Sequence, residues 1–380
     1  MNLHSNALER LGWTAELQTF FRPHAGAGLV PARVGAQHRG AYVLYTEHGE
    51  LWADLAGRIS HEAGAAGGMP AVGDWVAARP LSDERRAVIQ ALLPRRTKFS
   101  RRAAGLAAEE QVVAANVDVV FVVSALPNDL NLRRLERYLA SCWEGGADPV
   151  VVLTKADLCA DLPARVAEVT AIALGVPVHA VSNVTGDGVD ELRQWFGGNR
   201  TVALLGSSGV GKSSLVNRLL GEDVQAVREI RADGRGRHTT THRELILLPG
   251  GGLVLDTPGM REVQLWDADA GVETAFDDVE RLAPLCRFTD CRHESEPGCA
   301  VKAAVADGAL SPDRLEGYEK LRSELAVLGR RVGKRAEAEE RRRWRVLNRA
   351  HRQRDGLRPS PSTVSRGGER GNAEEDREDG

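Results

Sequence analysis

The sequence predicts a multidomain protein with an N-terminal OB-type β-barrel, a central α/β domain on a doubly wound parallel sheet, and a cysteine-bearing α-helical domain. Short apolar–polar alternations fill residues 29–93, the pattern of half-buried strands. From residue 117, longer apolar runs alternate with helical patterns, and a group of cysteines follows after residue 270. A chain of 380 residues is long enough for two or three domains.

The composition is that of a globular protein, with 42% hydrophobic and 27% charged residues. No apolar run reaches the roughly 18 residues of a membrane helix. The first residues also lack the basic flank and apolar core of a signal peptide. Five cysteines are too few and too unevenly spread for a secreted disulfide framework. We therefore expect a cytoplasmic protein with no membrane partner.

The first domain reads as about five short strands between turns. Val30, Ala32 and Val34 alternate with other residues, and Val72–Val76 and Ala87–Ile89 supply later strands. Small barrels of this kind favour the OB type, which often binds RNA. A barrel that only packs against the rest of the chain is the alternative. Residues 95–102, RRTKFSRR, read as a basic linker.

The central domain begins with Val117–Val123, a nearly continuous apolar run typical of a strand buried on both faces. Asn131 is suited to cap a helix that carries Leu132, Leu135, Leu139 and Cys142 at helical spacing. Further strands are predicted at residues 150–153, 176–181, 202–205, 244–248 and 253–255. Strands that alternate with helices indicate a parallel sheet.

The most specific motif is a GxxxxGKS loop between a predicted strand and a predicted helix. Its glycines let backbone N–H groups turn toward phosphates, and the helix N-terminus adds partial positive charge. Lys212 is expected to reach the β- and γ-phosphates, as a binding and a catalytic residue, and Ser213 to ligate Mg²⁺. The predicted nucleotide-binding residues here are Gly206, Ser207, Ser208, Gly209, Val210, Gly211, Lys212, Ser213 and Ser214.

Two earlier segments predict that the base is guanine. Thr154-Lys155-Ala156-Asp157 resembles the NKxD motif, with Thr154 in place of the usual asparagine. Asp157 could accept two hydrogen bonds from guanine N1 and N2, and Lys155 would lie along the base and ribose. The backbone N–H groups of Ser182 and Asn183 could receive guanine O6. Alone, the first segment could be an ordinary solvated loop.

A third element, Asp256-Thr257-Pro258-Gly259, follows the last predicted strand. Asp256 would hold Mg²⁺ through water, and the Gly259 N–H would sense the γ-phosphate. The glycines and arginines of residues 234–241, between the two phosphate motifs, predict a mobile switch segment. A threonine in this segment is needed to complete the Mg²⁺ shell; Thr240 is favoured and its neighbours are alternatives.

The position after Gly259, which carries a water-orienting glutamine in Ras-type enzymes, is Met260. His238 is the nearest candidate for that role; a histidine that contacts phosphate or is merely exposed is the alternative.

The motifs stand in reversed order, because the base-specific segments precede the phosphate-binding loop. One sheet keeps the same spatial site if its strands are only permuted along the chain. The segment after Gly259 then leads directly into the C-terminal cysteine region, so nucleotide state could move that region.

Cys286, Cys291, His293 and Cys299 lie within 14 residues and suit one structural, tetrahedral Zn²⁺. Reduced buried cysteines are the alternative, and Cys142 and Cys159 read as bystanders. Farther on, arginines flank Trp344 at residues 341–345, which suits contact with structured RNA or a solvated helix.

Together these segments resemble the RsgA (YjeQ) family of circularly permuted GTPases, from about residue 29 to about residue 330. The resemblance rests on AVGDWV (71–76), NLRRLERY (131–138), TKAD, GSSGVGKSS, GRGRHTTTH (234–242), DTPG, and the cysteine region with EPGCAV (296–301). It implies an OB-fold, a central GTPase domain and a zinc-binding domain, all used in docking on the 30S ribosomal subunit and its rRNA. It also implies GTP hydrolysis to GDP, stimulated by that particle, in late small-subunit maturation, with His238 aiding hydrolysis.

The alternative function is an RNA-binding protein with a regulatory, weakly catalytic guanine-nucleotide site. We expect a monomer. The predicted division is an N-terminal extension (1–28), an OB-fold (29–100), a permuted GTPase domain (110–268), a zinc-binding domain (270–330), a basic helix (331–356) and a disordered tail (357–380).

Overall fold

The computed structural model describes residues 5–38, 40–57, 59, 68–81, 85–102, 110–127, 129–221, 244–256, 269–323 and 325–326. All of them belong to one compact unit, Met1–Gly329. The predicted basic helix and tail lie outside the described residues, as does the predicted switch segment around Thr240.

The described part of this unit contains strands, α-helices and several short 3-10 helices. The strands are β1 Val30–Gln37, β2 Tyr42–Thr46, β3 Gly49–Leu55, β4 Trp75–Pro80, β5 Arg86–Leu92, β6 Lys98–Arg102, β7 Glu110–Ala115, β8 Val119–Ala125, β9 Asp148–Thr154, β10 Val178–Ala180, β11 Thr201–Leu205, β12 Glu244–Leu247 and β13 Leu253–Asp256. The helices are α1 Ser5–Arg10, α2 Ala15–Phe21, α3 Leu132–Gly145, α4 Leu162–Ile172, α5 Lys212–Leu220, α6 Asp269–Ala275, α7 Asp277–Glu280, α8 Ala300–Ala306 and α9 (residues 312–323).

The first five strands form a closed barrel, which confirms a small β-barrel near the N-terminus. Their order is β1-β2-β3-β5-β4, and β4 pairs back onto β1 with Arg33 opposite Trp75. Inward side chains such as Val34, Leu44 and Ile89 are fully buried between the strands. Closure leaves the barrel without free edges between its first and last strands.

The central sheet has the order β10-β9-β8-β11-β13-β12, and its first five strands are parallel. Strand β12 departs from the predicted all-parallel arrangement, because the tight turn 248–252 joins it antiparallel to β13. Ala36 of β1 pairs with Glu244 of β12, so barrel and central sheet form one continuous sheet of eleven strands.

The basic segment 95–102 is not a plain linker. Its second half is β6, which pairs antiparallel with β7 and buries Phe99. The arginines before it are used in ion pairs: Arg95 with Asp74 at 2.7 Å, and Arg96 with Asp118 at 2.9 Å. Phe99 between polar neighbours was the local signal for a strand, because side chains alternate between the two faces.

The C-terminal helices pack as a separate apolar cluster beside α3. Phe276, Val279, Val301 and Tyr318 are its buried centre, and Ala140 of α3 completes it. Leu315, Tyr318 and Leu321 recur at helical spacing on α9, and all three are buried. Among the residues that the structure describes, no helix is long and apolar enough to span a membrane.

Candidate nucleotide and metal sites

Four of the predicted site segments lie at one edge of the central sheet. Thr154 ends β9, Ser182 follows β10, Gly206 follows β11 and Asp256 ends β13. Strand β8 lies between β9 and β11 and pairs parallel with both, while β10 pairs parallel with β9 and β13 with β11. The carboxyl ends of all these strands therefore lie at the same edge of the sheet. In open α/β sheets this edge is where ligands bind.

The phosphate-binding loop has the backbone that its glycines permit. Gly206, Gly209 and Gly211 have φ values of 155°, 77° and 97°, in the region that favours glycine. A β-carbon on Gly206 would lie 2.2 Å from the Val123 carbonyl oxygen. The loop therefore requires glycine at this position both for its conformation and for its close approach to β8.

Lys212 is the first residue of α5, as the motif requires. Its Nζ donates hydrogen bonds to the carbonyl oxygens of Gly206, at 2.8 Å, and Ser207, at 2.5 Å. Ser213 and Ser214 are exposed at the helix N-terminus, where backbone N–H groups and the helix dipole favour an anion. The ammonium group and the helix end thus face the same loop.

The guanine segments lie beside each other. The Ala156 N–H donates to the Val181 carbonyl at 3.1 Å, and the Val181 N–H donates to the Leu153 carbonyl at 2.8 Å. Lys155 has a positive φ of 58° and begins a short 3-10 turn that leaves Asp157 exposed. The Asp157 carboxylate is thus accessible to a base at this edge.

Side chains join both guanine segments to the phosphate-binding loop. The buried Thr154 hydroxyl donates to the Val210 carbonyl at 2.5 Å, and Asn183 Nδ2 donates to the Gly211 carbonyl at 3.1 Å. The sequence predicts only a backbone role for Asn183, and the side-chain contact is seen in the structure. The signal was available: an asparagine stands at 183, whereas the motif at 154 lacks one.

Ser182 shapes the loop that is expected to receive guanine O6. Its buried hydroxyl accepts the N–H groups of Val184, at 3.3 Å, and Thr185, at 3.1 Å. These two bonds fix the turn that follows β10.

Three predicted site residues, His238, Thr240 and Gly259, lie outside the described residues. Asp256 is described only as the last residue of β13, without its side-chain environment. Their predicted roles therefore stay predictions.

The four predicted zinc ligands come together in space. One donor atom from each of Cys286, Cys291, His293 and Cys299 lies within 4.8 Å of the others. His293 Nδ1 is 3.4 Å from Cys299 Sγ and 3.7 Å from Cys286 Sγ. Zn–S bonds of about 2.3 Å in a tetrahedron place the ligand atoms about 3.8 Å apart, so the donors fit a structural zinc ion.

The surroundings of the cluster also shift the pKa values of its side chains. Burial raises the pKa of the Cys286 thiol, but N–H groups of Val301 and Ala300 outweigh it, so the net pKa is lowered. Burial and then the nearby Arg322 lower the pKa of His293, which favours the neutral imidazole that binds metals. Burial and the neighbouring thiols raise the pKa of Cys291 to about 11.

Comparison with known proteins agrees with this geometry. The family model described as RsgA GTPase matches residues 92–266. A "Small ribosomal subunit biogenesis GTPase RsgA" from Opitutus terrae is 49% identical over 361 residues, which cover 92% of this chain and 98% of the relative. A protein of the same name from Streptomyces coelicolor is 47% identical over 350 residues, or 90% of this chain and 93% of the relative.

Solved structures show the same architecture. The crystal structure of YjeQ from Thermotoga maritima is similar with a TM-score of 0.60 and 27% identity, and covers 78% of this chain and 99% of its own. YloQ, described as a circularly permuted GTPase, has a TM-score of 0.56 and 25% identity, and covers 81% of this chain and 98% of its own. With the base-specific segments placed before the phosphate-binding loop on one sheet edge, this chain has the circularly permuted GTPase fold and belongs to the RsgA GTPase family.

Proposed function

We propose that this protein hydrolyses GTP to GDP and phosphate in the maturation of the small ribosomal subunit. The main observation in support is that the guanine and phosphate motifs lie at the same edge of the sheet, at the ends of β9, β10, β11 and β13. Lys212 binds the β- and γ-phosphates, and Asp157 reads guanine N1 and N2. The names of the relatives support the assignment to small-subunit biogenesis.

The proposed Mg²⁺ ligands are Ser213 and Thr240, with Asp256 acting through water and Gly259 sensing the γ-phosphate. His238 is proposed to help water attack the γ-phosphate. One Zn²⁺ on Cys286, Cys291, His293 and Cys299 is proposed to hold the C-terminal region together, and the compact donor cluster supports it.

The barrel is proposed to be an OB-fold within the boundaries predicted above. Its closed order β1-β2-β3-β5-β4, with β3 parallel to β5, supports this assignment. Trp52 on β3 is 51% exposed, and the His38 ring lies 5.2 Å away. Arg85 and Arg86 line the same surface pocket, where Asp54 forms an ion pair with Arg86 at 2.8 Å, so this face offers stacking on Trp52 and the charge of Arg85 to rRNA.

The proposed partner is the 30S subunit, which the protein binds as a cytoplasmic monomer. Purified protein should hydrolyse GTP slowly alone and faster with 30S particles, because activation on the particle would supply the missing transition-state contacts. Phosphate release is measured with GTP and with ATP, each with and without 30S particles.

Lys212→Ala serves as the loss-of-site control and should abolish the stimulated rate. GTP-selective stimulation that disappears in Lys212→Ala supports the whole proposal. GTP-selective binding without stimulation would remove the ribosome as the activator, and equal use of ATP would contradict guanine specificity.

A further inference from the structure

The two loops that are proposed to hold guanine are attached to adjacent carbonyl groups. Thr154 donates its hydroxyl hydrogen to the Val210 carbonyl, and Asn183 donates from Nδ2 to the Gly211 carbonyl. Val210 and Gly211 are consecutive in the phosphate-binding loop. The base-binding loops and the phosphate-binding loop are thus coupled by two direct side-chain contacts at one turn.

The side chains at positions 154 and 183 share the space beside Gly211. A β-carbon built on Gly211 would lie 2.9 Å from Asn183 Nδ2 and 3.8 Å from Thr154 Oγ1. A motif of the NKxD form would place a side-chain amide at position 154. This chain has a hydroxyl there and presents an amide to the same turn from position 183.

Hydrogen bonding sets the orientation of this amide. If it were turned over, Asn183 Oδ1 would face the Gly211 carbonyl oxygen, acceptor against acceptor. In the orientation that the donor requires, Oδ1 is buried and has no hydrogen-bond partner among the described residues. A buried acceptor without a donor destabilises the folded protein. Asn183 is therefore expected to contribute little to the stability of the nucleotide-free protein.

We propose that Asn183 is a positioning residue of the guanine-nucleotide site, and that its amide holds the base-binding loop at the correct distance from the phosphate-binding loop. Base and phosphates then meet a preorganised site, which reduces the ordering cost of binding. This inference rests on the proposed function, since it requires that guanine binds between these loops.

The test compares full-length Asn183→Ala with the wild type and with Val184→Ala, a matched control at an 80% exposed position on the same loop. Affinities for GDP and ADP are measured by titration, with KM and kcat for GTP and the thermal midpoint of nucleotide-free protein. We expect Asn183→Ala to weaken GDP binding about tenfold, the value of about one hydrogen bond. KM should rise by a similar factor, with kcat changed by less than about twofold.

A second variant and a rescue separate positioning from structural support. Asn183→Leu keeps the branched shape without the donor and should weaken GDP binding as Asn183→Ala does. Thr154→Asn added to Asn183→Ala returns an amide to the same turn and should restore GDP affinity to within about threefold. A structural role alone predicts a lowered thermal midpoint and no rescue.

Wild-type GDP affinity in both Asn183→Ala and Asn183→Leu would overturn the inference. A loss of GDP affinity in Val184→Ala as large as that in Asn183→Ala would also overturn it. These results differ from a failure of the proposed function, in which the wild type itself would not prefer GDP to ADP; that result would overturn both.

Discussion

At the scale of single residues, Glu296 shows how one side chain organises a loop between the proposed zinc ligands. Its carboxylate accepts backbone N–H groups of Arg292, at 2.9 Å, Glu294, at 2.9 Å, and Ser295, at 3.0 Å. These bonds lower the pKa of Glu296 to about 2, with the Arg292 N–H as the largest cause. The loop from Cys291 to Cys299 is thus shaped by an ionised carboxylate.

Glu296→Gln should make the protein less stable at neutral pH, because an amide presents one acceptor oxygen instead of two. A depressed folded-state pKa gives stability that is present above the ordinary pKa of 4.5 and lost as the pH falls toward about 2. The difference in unfolding free energy between wild type and Glu296→Gln should therefore shrink from pH 7 to pH 3. Denaturant titrations at several pH values measure it, with Glu294→Gln as the control. An equal difference at pH 7 and pH 3 would contradict the assignment.

At the scale of elements, helix α3 and the C-terminal helices are joined by a buried ion-pair network. Arg314 is 5% exposed; it donates to Glu136 of α3 at 2.8 Å and to Asp278 of α7 at 3.0 Å. Its guanidinium also lies 4.2 Å from the centre of the Phe276 ring. Burial raises the pKa of Glu136, and Arg314 opposes this. The region that follows the predicted switch is thus fastened to the GTPase sheet through α3.

Arg314→Met should lower the free energy of unfolding by about 3 kcal/mol, because it leaves buried Glu136 with only the longer ion pair to Arg133, at 3.5 Å. Adding Glu136→Met should recover part of the loss, since the uncompensated charge is removed. Denaturant unfolding of the two variants and of Glu136→Met completes the double-mutant cycle. Additive losses in the double variant would show that the pair is not coupled.

At the scale of the whole molecule, one buried arginine ties three regions together. Arg33 of the barrel donates to the Gly73 carbonyl at 3.2 Å, the Asn116 carbonyl at 3.0 Å and the Thr201 hydroxyl at 2.8 Å. It also donates to the Leu11 carbonyl, next to the N-terminal helices. Burial lowers the pKa of Arg33 to about 10, which still leaves it charged at neutral pH.

The N-terminal helices belong to the same core. Leu17 and Phe21 are buried, and Trp13 packs edge-on against Trp75 of the barrel with ring centres 4.7 Å apart. The predicted extension of residues 1–28 is therefore part of the packed structure in its described portion. Barrel, extension and central sheet share one hydrophobic cluster, so their stabilities are coupled.

Arg33→Met should reduce the free energy of unfolding by at least about 3 kcal/mol, since several buried acceptors lose a charged donor. The matched control is Arg281→Met, whose side chain is 71% exposed and whose ion pair with Asp277 contributes about 0–1 kcal/mol. Unfolding followed by tryptophan fluorescence and by circular dichroism measures both. Equal stability of the two variants would show that Arg33 does not tie the regions together.

The sequence by itself determined the features that depend on neighbouring residues. Three such features are local patterns, because their chemistry requires particular residues a few positions apart. They are the glycines and Lys212 of the phosphate-binding loop, the Thr154–Asp157 segment and the spacing of the four proposed zinc ligands. The sequence likewise predicts buried strands such as β8 and β9, since a continuous apolar run indicates a strand that is buried on both faces.

Tertiary structure alone decided the contacts between distant segments. The bond from Arg33 to Thr201 spans 168 residues and that from Arg314 to Glu136 spans 178. The pairing of β12 with β1 and the amide of Asn183 on the phosphate-binding loop are of the same kind. No local pattern encodes such partners, because side-chain periodicity reports which face is buried but not what covers it. Tertiary packing determines these partners, and it brings the permuted motifs together at one edge of the sheet.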